Sequence, residues 1–268
     1  MRDRFLLLTL GVLLGPARPA QADLSIDVSP VRFELQAEPG SEYTDAVRVQ
    51  NIGSEALRLR AYVEDWHLDE EGTPLFEPAG TTKASACPWI ALAPADFLIG
   101  PGQTQHVRFT LQVPANAPTQ GHRAALLLES IPLNRADPRG HRMLVRGRVA
   151  SMIYITVGTP TPLAEITSLS LIAREGRPHL RLRVHNAGEA HFRLSGTVDC
   201  LFAGTALGAP IRLPDVPILP GASRWVSVEL PEDRVLANSL ARVTVDLAGY
   251  GQLVGECPLG PVQADSKR

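Results

Sequence analysis

The sequence predicts an all-β protein built as two related β-sandwiches in tandem, and three observations carry that expectation. First, the chain repeats itself. Val49-Gln50-Asn51-Ile52-Gly53, with Arg58-Leu59 beyond, returns as Val184-His185-Asn186-Ala187-Gly188, with Arg193-Leu194. Ile99-Gly100-Pro101-Gly102 with Val107 is echoed in the same order by Ile218-Leu219-Pro220-Gly221 with Val226. Each half therefore reads strand, Asn-x-Gly turn, strand, Pro-Gly turn, strand. Second, apolar and polar residues alternate with period two along Ala46-Val47-Arg48-Val49-Gln50, Val107-Arg108-Phe109-Thr110-Leu111 and Ala241-Arg242-Val243-Thr244-Val245, as in strands packed on one face. Third, 23 prolines and 22 glycines are scattered between short runs rich in Val, Leu and Ile, which leaves no room for a long helical period.

The elements follow in order. Arg2 and Arg4 precede an apolar run over residues 5–14, and Ala20-Gln21-Ala22 supplies a small-x-small cleavage pattern, so residues 1–22 read as a secretory signal peptide. The run is too short to span a bilayer, and no later stretch is long and apolar enough to do so. Cleavage leaves 246 residues, and removing the leader's net +2 from the chain's −2 gives −4. That weak acidity offers nothing to a nucleic acid or an anionic membrane. Residues 23–158 are the first sandwich, with Ala124 to Leu128 apolar throughout as a central strand. Residues 159–162, with Pro160 and Pro162, make an extended linker. The second sandwich takes residues 163–262, and 263–268 form a disordered tail.

Three cysteines in an exported chain meet an oxidising environment. A Cys200–Cys257 bond would close a loop worth about 4 kcal/mol and leave Cys87 single; the alternative is three small buried thiols.

Enzyme signals are thin. The chain has no Gly-x-Ser-x-Gly elbow, no phosphate-cradling glycine loop and no His-Glu-x-x-His helix. His185 and His191 lack a further ligand at a metal spacing. Asp65, Asp69, Glu70, Glu71 and Gly72 do not have the spacing of an EF-hand and read as a solvated turn. Trp66, Trp89 and Trp225 could form a sugar platform, with core packing as the simpler reading. No catalytic residue, metal or cofactor is expected.

An order of motifs does stand out: the leader; Ser29-Pro30-Val31-Arg32-Phe33-Glu34-Leu35 as a first strand; Val49-Gln50-Asn51 with Asp65-Trp66; Pro88-Trp89-Ile90 with Phe97; Pro101-Gly102-Gln103-Thr104-Gln105-His106-Val107-Arg108; and Ser130-Ile131-Pro132. In this order the chain resembles the PapD-like periplasmic chaperones that assemble pili and other surface fibres. The stretch from Pro101 to Arg108 is the most specific, and the match covers the first domain; in the second it is architectural.

The resemblance implies two immunoglobulin-like domains in a boomerang, with the carboxyl terminus of an incomplete fibre subunit in the cleft. The last strand of the first domain then fills the subunit's missing strand by β-augmentation. On that footing Arg32, otherwise an outward charge on a first strand, grips the subunit carboxylate. Met143, Val145, Gly147 and Val149 fall on one face by period two as the inserted residues, the other reading being that 149–157 simply closes the sandwich. Two positions depart from the family: Met152 stands where its cleft lysine is expected, and Ser130 replaces a glutamate. The expected function is a non-enzymatic periplasmic chaperone for an exported pilus subunit, with an outer-membrane usher as a further partner and self-association through the free edge strand. The competing expectation is an envelope scaffold protein with the same two domains that has lost the clamp.

Overall fold

A computed structural model describes residues 25–131, 146–247, 251–260 and 263–264. The expected signal peptide, Met143, Val145 and most of the expected tail lie outside the described residues. The first half of the chain forms β1 (Ile26–Ser29), β2 (Arg32–Ala37), β3 (Glu42–Asn51), β4 (Leu57–Leu68), β5 (Pro74–Glu77), β6 (Ile90–Ala93), β7 (Asp96–Ile99), β8 (Thr104–Gln112), β9 (Gly121–Ile131) and β10 (Arg148–Val157). One sheet runs β1-β3-β8-β6 and the other β2-β10-β9-β4-β5, with β7 also paired to β4. The chain changes sheets between β1 and β2 at Pro30, a residue with no N–H to place in a ladder. Beyond it β2 runs parallel to β10, with Arg32 beside Met152 and Ala37 beside Val157.

Period-two alternation fills the core between these sheets. Val47 and Val49 on β3 and Val107, Phe109 and Leu111 on β8 face Leu59, Ala61, Ala124, Leu126, Leu128, Ile153 and Ile155. Full burial of each such large side chain contributes roughly 1.5–3 kcal/mol. The central strand β9 is buried on both faces: Ala124, Leu126 and Leu128 point into this core, while Ala125 and Leu127 belong to a separate apolar cluster on the outer face of the sheet.

The second half forms β11 (Ala164–Arg174), β12 (Arg177–Asn186), β13 (Phe192–Arg193), β14 (Ser195–Phe202), β15 (Thr205–Ala206), β16 (Ile211–Arg212), β17 (Pro217–Ile218), β18 (Ser223–Glu229), β19 (Ser239–Asp246), β20 (Gln252–Leu259) and β21 (Gln263–Ala264). Its facing sheets run β18-β12-β11-β21 and β15-β14-β19-β20, with β16 on β14 and a short β13-β17 ladder beside them. Leu180, Leu182, Val184 and Val226 meet Val198, Ala241, Val243 and Val245 in a core of its own. The chain is thus all-β, as two immunoglobulin-like sandwiches.

Two expectations are corrected here. Cys200 and Cys257 are not bonded; all three cysteines are free and buried. Cys200 pairs with Ala241 and Ala241 with Cys257, so strand β19 lies between them. Two strand spacings come to roughly 10 Å, beyond the reach of a disulfide, about 7 Å between Cα atoms. The second correction concerns the tail: Gln263 and Ala264 pair in parallel with Ile172 and Ala173.

Candidate functional site

The cleft between the sandwiches begins at the outer faces of β9 and β10. Alternation sends Ile153 and Ile155 inward and leaves Met152 and Tyr154 outward, beside Ala125 and Leu127. Trp66 from β4 packs edge-on against Tyr154, ring centroids 5.1 Å apart, a pairing worth about 1 kcal/mol beyond area burial. Leu219 and Ala222 of the second sandwich close this cluster, so it is the apolar floor of the interdomain contact. Arg123 donates from Nε to the Trp66 carbonyl at 2.6 Å. Burial pushes the Tyr154 phenol up to about 12, against the opposing pull of the Arg193 guanidinium.

Above the floor sits a carboxylate shared by both halves. Glu34 Oε1 lies 3.2 Å from Arg32 Nε and 3.6 Å from Arg193 Nη1, and Oε2 lies 3.9 Å from His191 Nε2. Asp215 fixes Arg193 from behind, accepting from Nε at 2.6 Å through its side chain and from Nη2 at 2.8 Å through its carbonyl. His191 stacks near Tyr154, centroids 4.7 Å apart. Burial holds His191 below the ordinary histidine range, with Glu34 opposing. Close by, Gly121 N–H donates to the Glu189 carbonyl at 2.6 Å.

A third contact comes from the turn at residues 69–73. Asp69 Oδ1 accepts from the N–H groups of Glu71 and Thr73, at 3.0 and 2.8 Å, which sets the turn. Glu70 then accepts from Trp225 N–H through its carbonyl at 2.7 Å and from Arg183 Nε through its carboxylate at 3.1 Å. Glu71 pairs with Arg181 at 3.3 Å, and Arg181 lies 4.2 Å over the Trp225 ring. The Arg224 guanidinium presses on Gly72, whose φ is +89°. The turn read from the sequence as solvated is therefore a clasp on the second sandwich; the charges that suggest solvent are matched by arginines 110 or more residues away.

The strand expected to be donated is β10 and the residues before it. Gly147 exchanges hydrogen bonds with Ser130: its N–H donates to Ser130 Oγ and its carbonyl accepts from Ser130 N–H, both at 2.9 Å. Val149 is half-buried against the first sandwich's own core. Arg148, Val149 and Ala150 pair with β9 on one side. Among the described residues no strand pairs with their other edge, because β2 joins β10 only at Met152. Arg32 thus stands where that edge closes, with Met152 directly beside it. Arg193, His191 and Glu34 were missed as a group in the sequence, since 157 residues separate Glu34 from His191 and no motif joins them.

The other sequence candidates separate. Trp66 is buried in the interdomain cluster, Trp89 stacks 4.4 Å from His122, and Trp225 lies under Arg181, so the three form no platform. His185 Nδ1 meets Ser223 Oγ at 3.1 Å. Asp65 is fully buried and accepts from Thr82 N–H at 2.8 Å and Cys87 Sγ at 3.1 Å. Among the described residues no group of three His, Cys, Asp or Glu side chains could hold a metal, and no helix is long and apolar enough to cross a membrane.

No protein-family model and no curated protein matches the sequence. The chain is similar to fimbrial chaperones of known structure. One is a chain of a chaperone–tip adhesin complex for CFA/I fimbriae biogenesis, at 12% identity and TM-score 0.45, covering 87% of this chain and 99% of that one. Another is the class 5 fimbriae chaperone CfaA, at 13% identity and TM-score 0.45, covering 87% and 98%. A chain of the CsuC–CsuE chaperone–tip adhesion subunit complex of Acinetobacter baumannii is 16% identical at TM-score 0.42, covering 87% and 97%.

Proposed function

We propose that this protein is a periplasmic chaperone that caps exported β-rich fibre subunits, completing a subunit's sheet with the segment around Met143, Val145, Gly147 and Val149 while Arg32 anchors the subunit's terminal carboxylate. One observation carries the reading: the edge of Arg148, Val149 and Ala150 opposite β9 has no strand partner among the described residues, and Arg32 stands at its end beside Met152. An unpaired edge is a pairing template, and main-chain ladder bonds supply affinity without bond breaking or a nucleotide. The order of motifs from Ser29 to Pro132 supports the same reading. Removal of residues 1–22 on export, delivery of the subunit to an outer-membrane usher, and self-pairing of the free edge belong to this proposal.

A second reading, an envelope scaffold without the clamp, is favoured by Met152, which packs on the interdomain cluster instead of presenting a charge beside Arg32. A pull-down from periplasm with the full chain, Arg32→Ala and Val145→Asp side by side separates the two. Capture of a small exported β-rich protein by the wild type and its loss from both variants is expected; equal capture by all three would leave the scaffold.

A further inference from the structure

Glu34 occupies the point at which the proposed anchor would act. The register places it two residues from Arg32 on β2 and beside Tyr154 on β10. There a single oxygen, Oε1, faces guanidinium nitrogens from both sandwiches, Arg32 at 3.2 Å and Arg193 at 3.6 Å. Guanidinium groups bind carboxylates best through two parallel N–H···O bonds. One shared oxygen at these distances gives neither arginine that geometry. The solvent side of the site is accessible, with the side chains of Arg32 and Glu34 45% and 38% exposed, while Arg193 is 21% exposed. Exposed ion pairs hold weakly, so this one can be exchanged at small cost. Asp215, by contrast, holds Arg193 through Nε at 2.6 Å and Nη2 at 2.8 Å and leaves its one remaining nitrogen, Nη1, toward Glu34.

We infer that Arg32 and Arg193 together form a carboxylate site spanning the two sandwiches, that Glu34 fills it in the free chain, and that an incoming chain terminus binds by displacing Glu34. This rests on the proposed function for the identity of the ligand, and adds to it a second cation and a built-in competitor. Because Met152 supplies no charge beside Arg32, the second cation comes from the other sandwich, and binding therefore links the two halves. The competitor lowers affinity for a bare carboxylate, so retention of a ligand requires strand pairing as well.

The test uses the full chain and two probes, N-acetyl-Val-Thr-Tyr with a free carboxyl terminus and the same tripeptide as its amide. Binding is followed through the Nε–H signals of Arg32 and Arg193 by NMR. Glu34→Gln and Glu34→Ala should bind the acid more tightly than the wild type by up to about fivefold, the upper end of what an exposed ion pair represents, and should not bind the amide. Adding Arg193→Gln to Glu34→Gln should cancel the gain. Unchanged or weaker binding by both Glu34 variants, equal binding of acid and amide, or no binding at all would overturn the inference. A chain that captures an exported subunit while the Glu34 variants change nothing loses this inference alone. A chain that shows the expected peptide binding but captures no subunit loses the chaperone reading alone.

Discussion

Asn51 and Asn186 do the same work at equivalent points of the two sandwiches. Asn51 Nδ2 donates to the carbonyls of Glu55 and Ile99 at 2.7 and 3.1 Å, and its Oδ1 accepts from Gly53 N–H at 3.0 Å. Asn186 Nδ2 donates to Ala190 and Ile218 at 2.8 and 3.0 Å, and its Oδ1 accepts from Gly188 N–H at 2.9 Å. Their main-chain carbonyls accept from Gly102 and Gly221, each at 2.9 Å. The sequence repeat is therefore a repeated fastening: a fully buried amide ties the Asn-x-Gly turn to the Pro-Gly turn.

Because each amide satisfies two carbonyls and one N–H, Asn51→Ala and Asn186→Ala should each destabilise the chain by about 2–4 kcal/mol, through buried groups left without partners. Urea unfolding measures this. A loss below about 1 kcal/mol at either site would mean that water replaces the amide and that the fastening is dispensable.

The three buried thiols should make stability indifferent to redox conditions, since Cys200 and Cys257 stand on either side of β19. The urea midpoint should be the same with and without reductant, and iodoacetamide at neutral pH should label no cysteine before unfolding. Burial, with the neighbouring Asp65 carboxylate, pushes the Cys87 thiol up to about 12. A raised folded-state value means that the folded chain keeps the proton longer, so this contribution is complete below about pH 8.5, the unfolded thiol's range, and fades toward pH 12. Fast labelling of native Cys87 at pH 8 would contradict it.

The clasp offers a comparison of magnitudes. Glu70 and Glu71 are about half exposed, their side chains 47% and 51% accessible, so Glu70→Gln or Glu71→Gln should cost about 0.2–1 kcal/mol. Gly72→Ala should cost more, about 1–3 kcal/mol. Its φ of +89° strains any side chain, and a Cβ there would come within 2.2 Å of the Arg224 guanidinium. Small-angle scattering should also show the two halves sampling a wider range of separations in Gly72→Ala. An unfolding curve matching wild type would remove the clasp's role.

Much of this architecture was legible in the sequence because it is local. Alternation along β3, β8 and β19 names the core face residue by residue, and the Asn-x-Gly and Pro-Gly pairs mark turns whose chemistry needs only a few neighbours. The unbroken apolar run Ala124 to Leu128 identifies a strand covered on both faces, although only the structure assigns one face to the first core and the other to the cleft. The cysteines misled because spacing along the chain says nothing of an intervening strand. The turn at residues 69–73 misled because its acids are matched by Arg181 and Arg183, and charge beside Gly looks alike whether water or another domain receives it. Glu34, His191 and Arg193 lie on separate sandwiches, so only the interdomain packing brings them together.

Acid should weaken the chain at its two buried histidines, His191 at the interdomain contact and His122 against Trp89 in the first sandwich, before it titrates the carboxylates. Burial depresses His191, with Glu34 opposing and Arg193 and Arg123 assisting, and burial likewise depresses His122. With a depressed folded-state value the unfolded chain takes up the proton first. Stability is then fully present above about pH 6.5, the unfolded histidine's value, and is lost as the pH falls below it. Exposed carboxylates do not begin to titrate until about pH 4–5, so the interval from pH 6.5 to 5 isolates the histidines. Urea midpoints should fall across that interval in the wild type and fall less in His191→Phe, which keeps a ring against Tyr154 but takes no proton. Parallel pH profiles for the two proteins would show that His191 does not carry the effect.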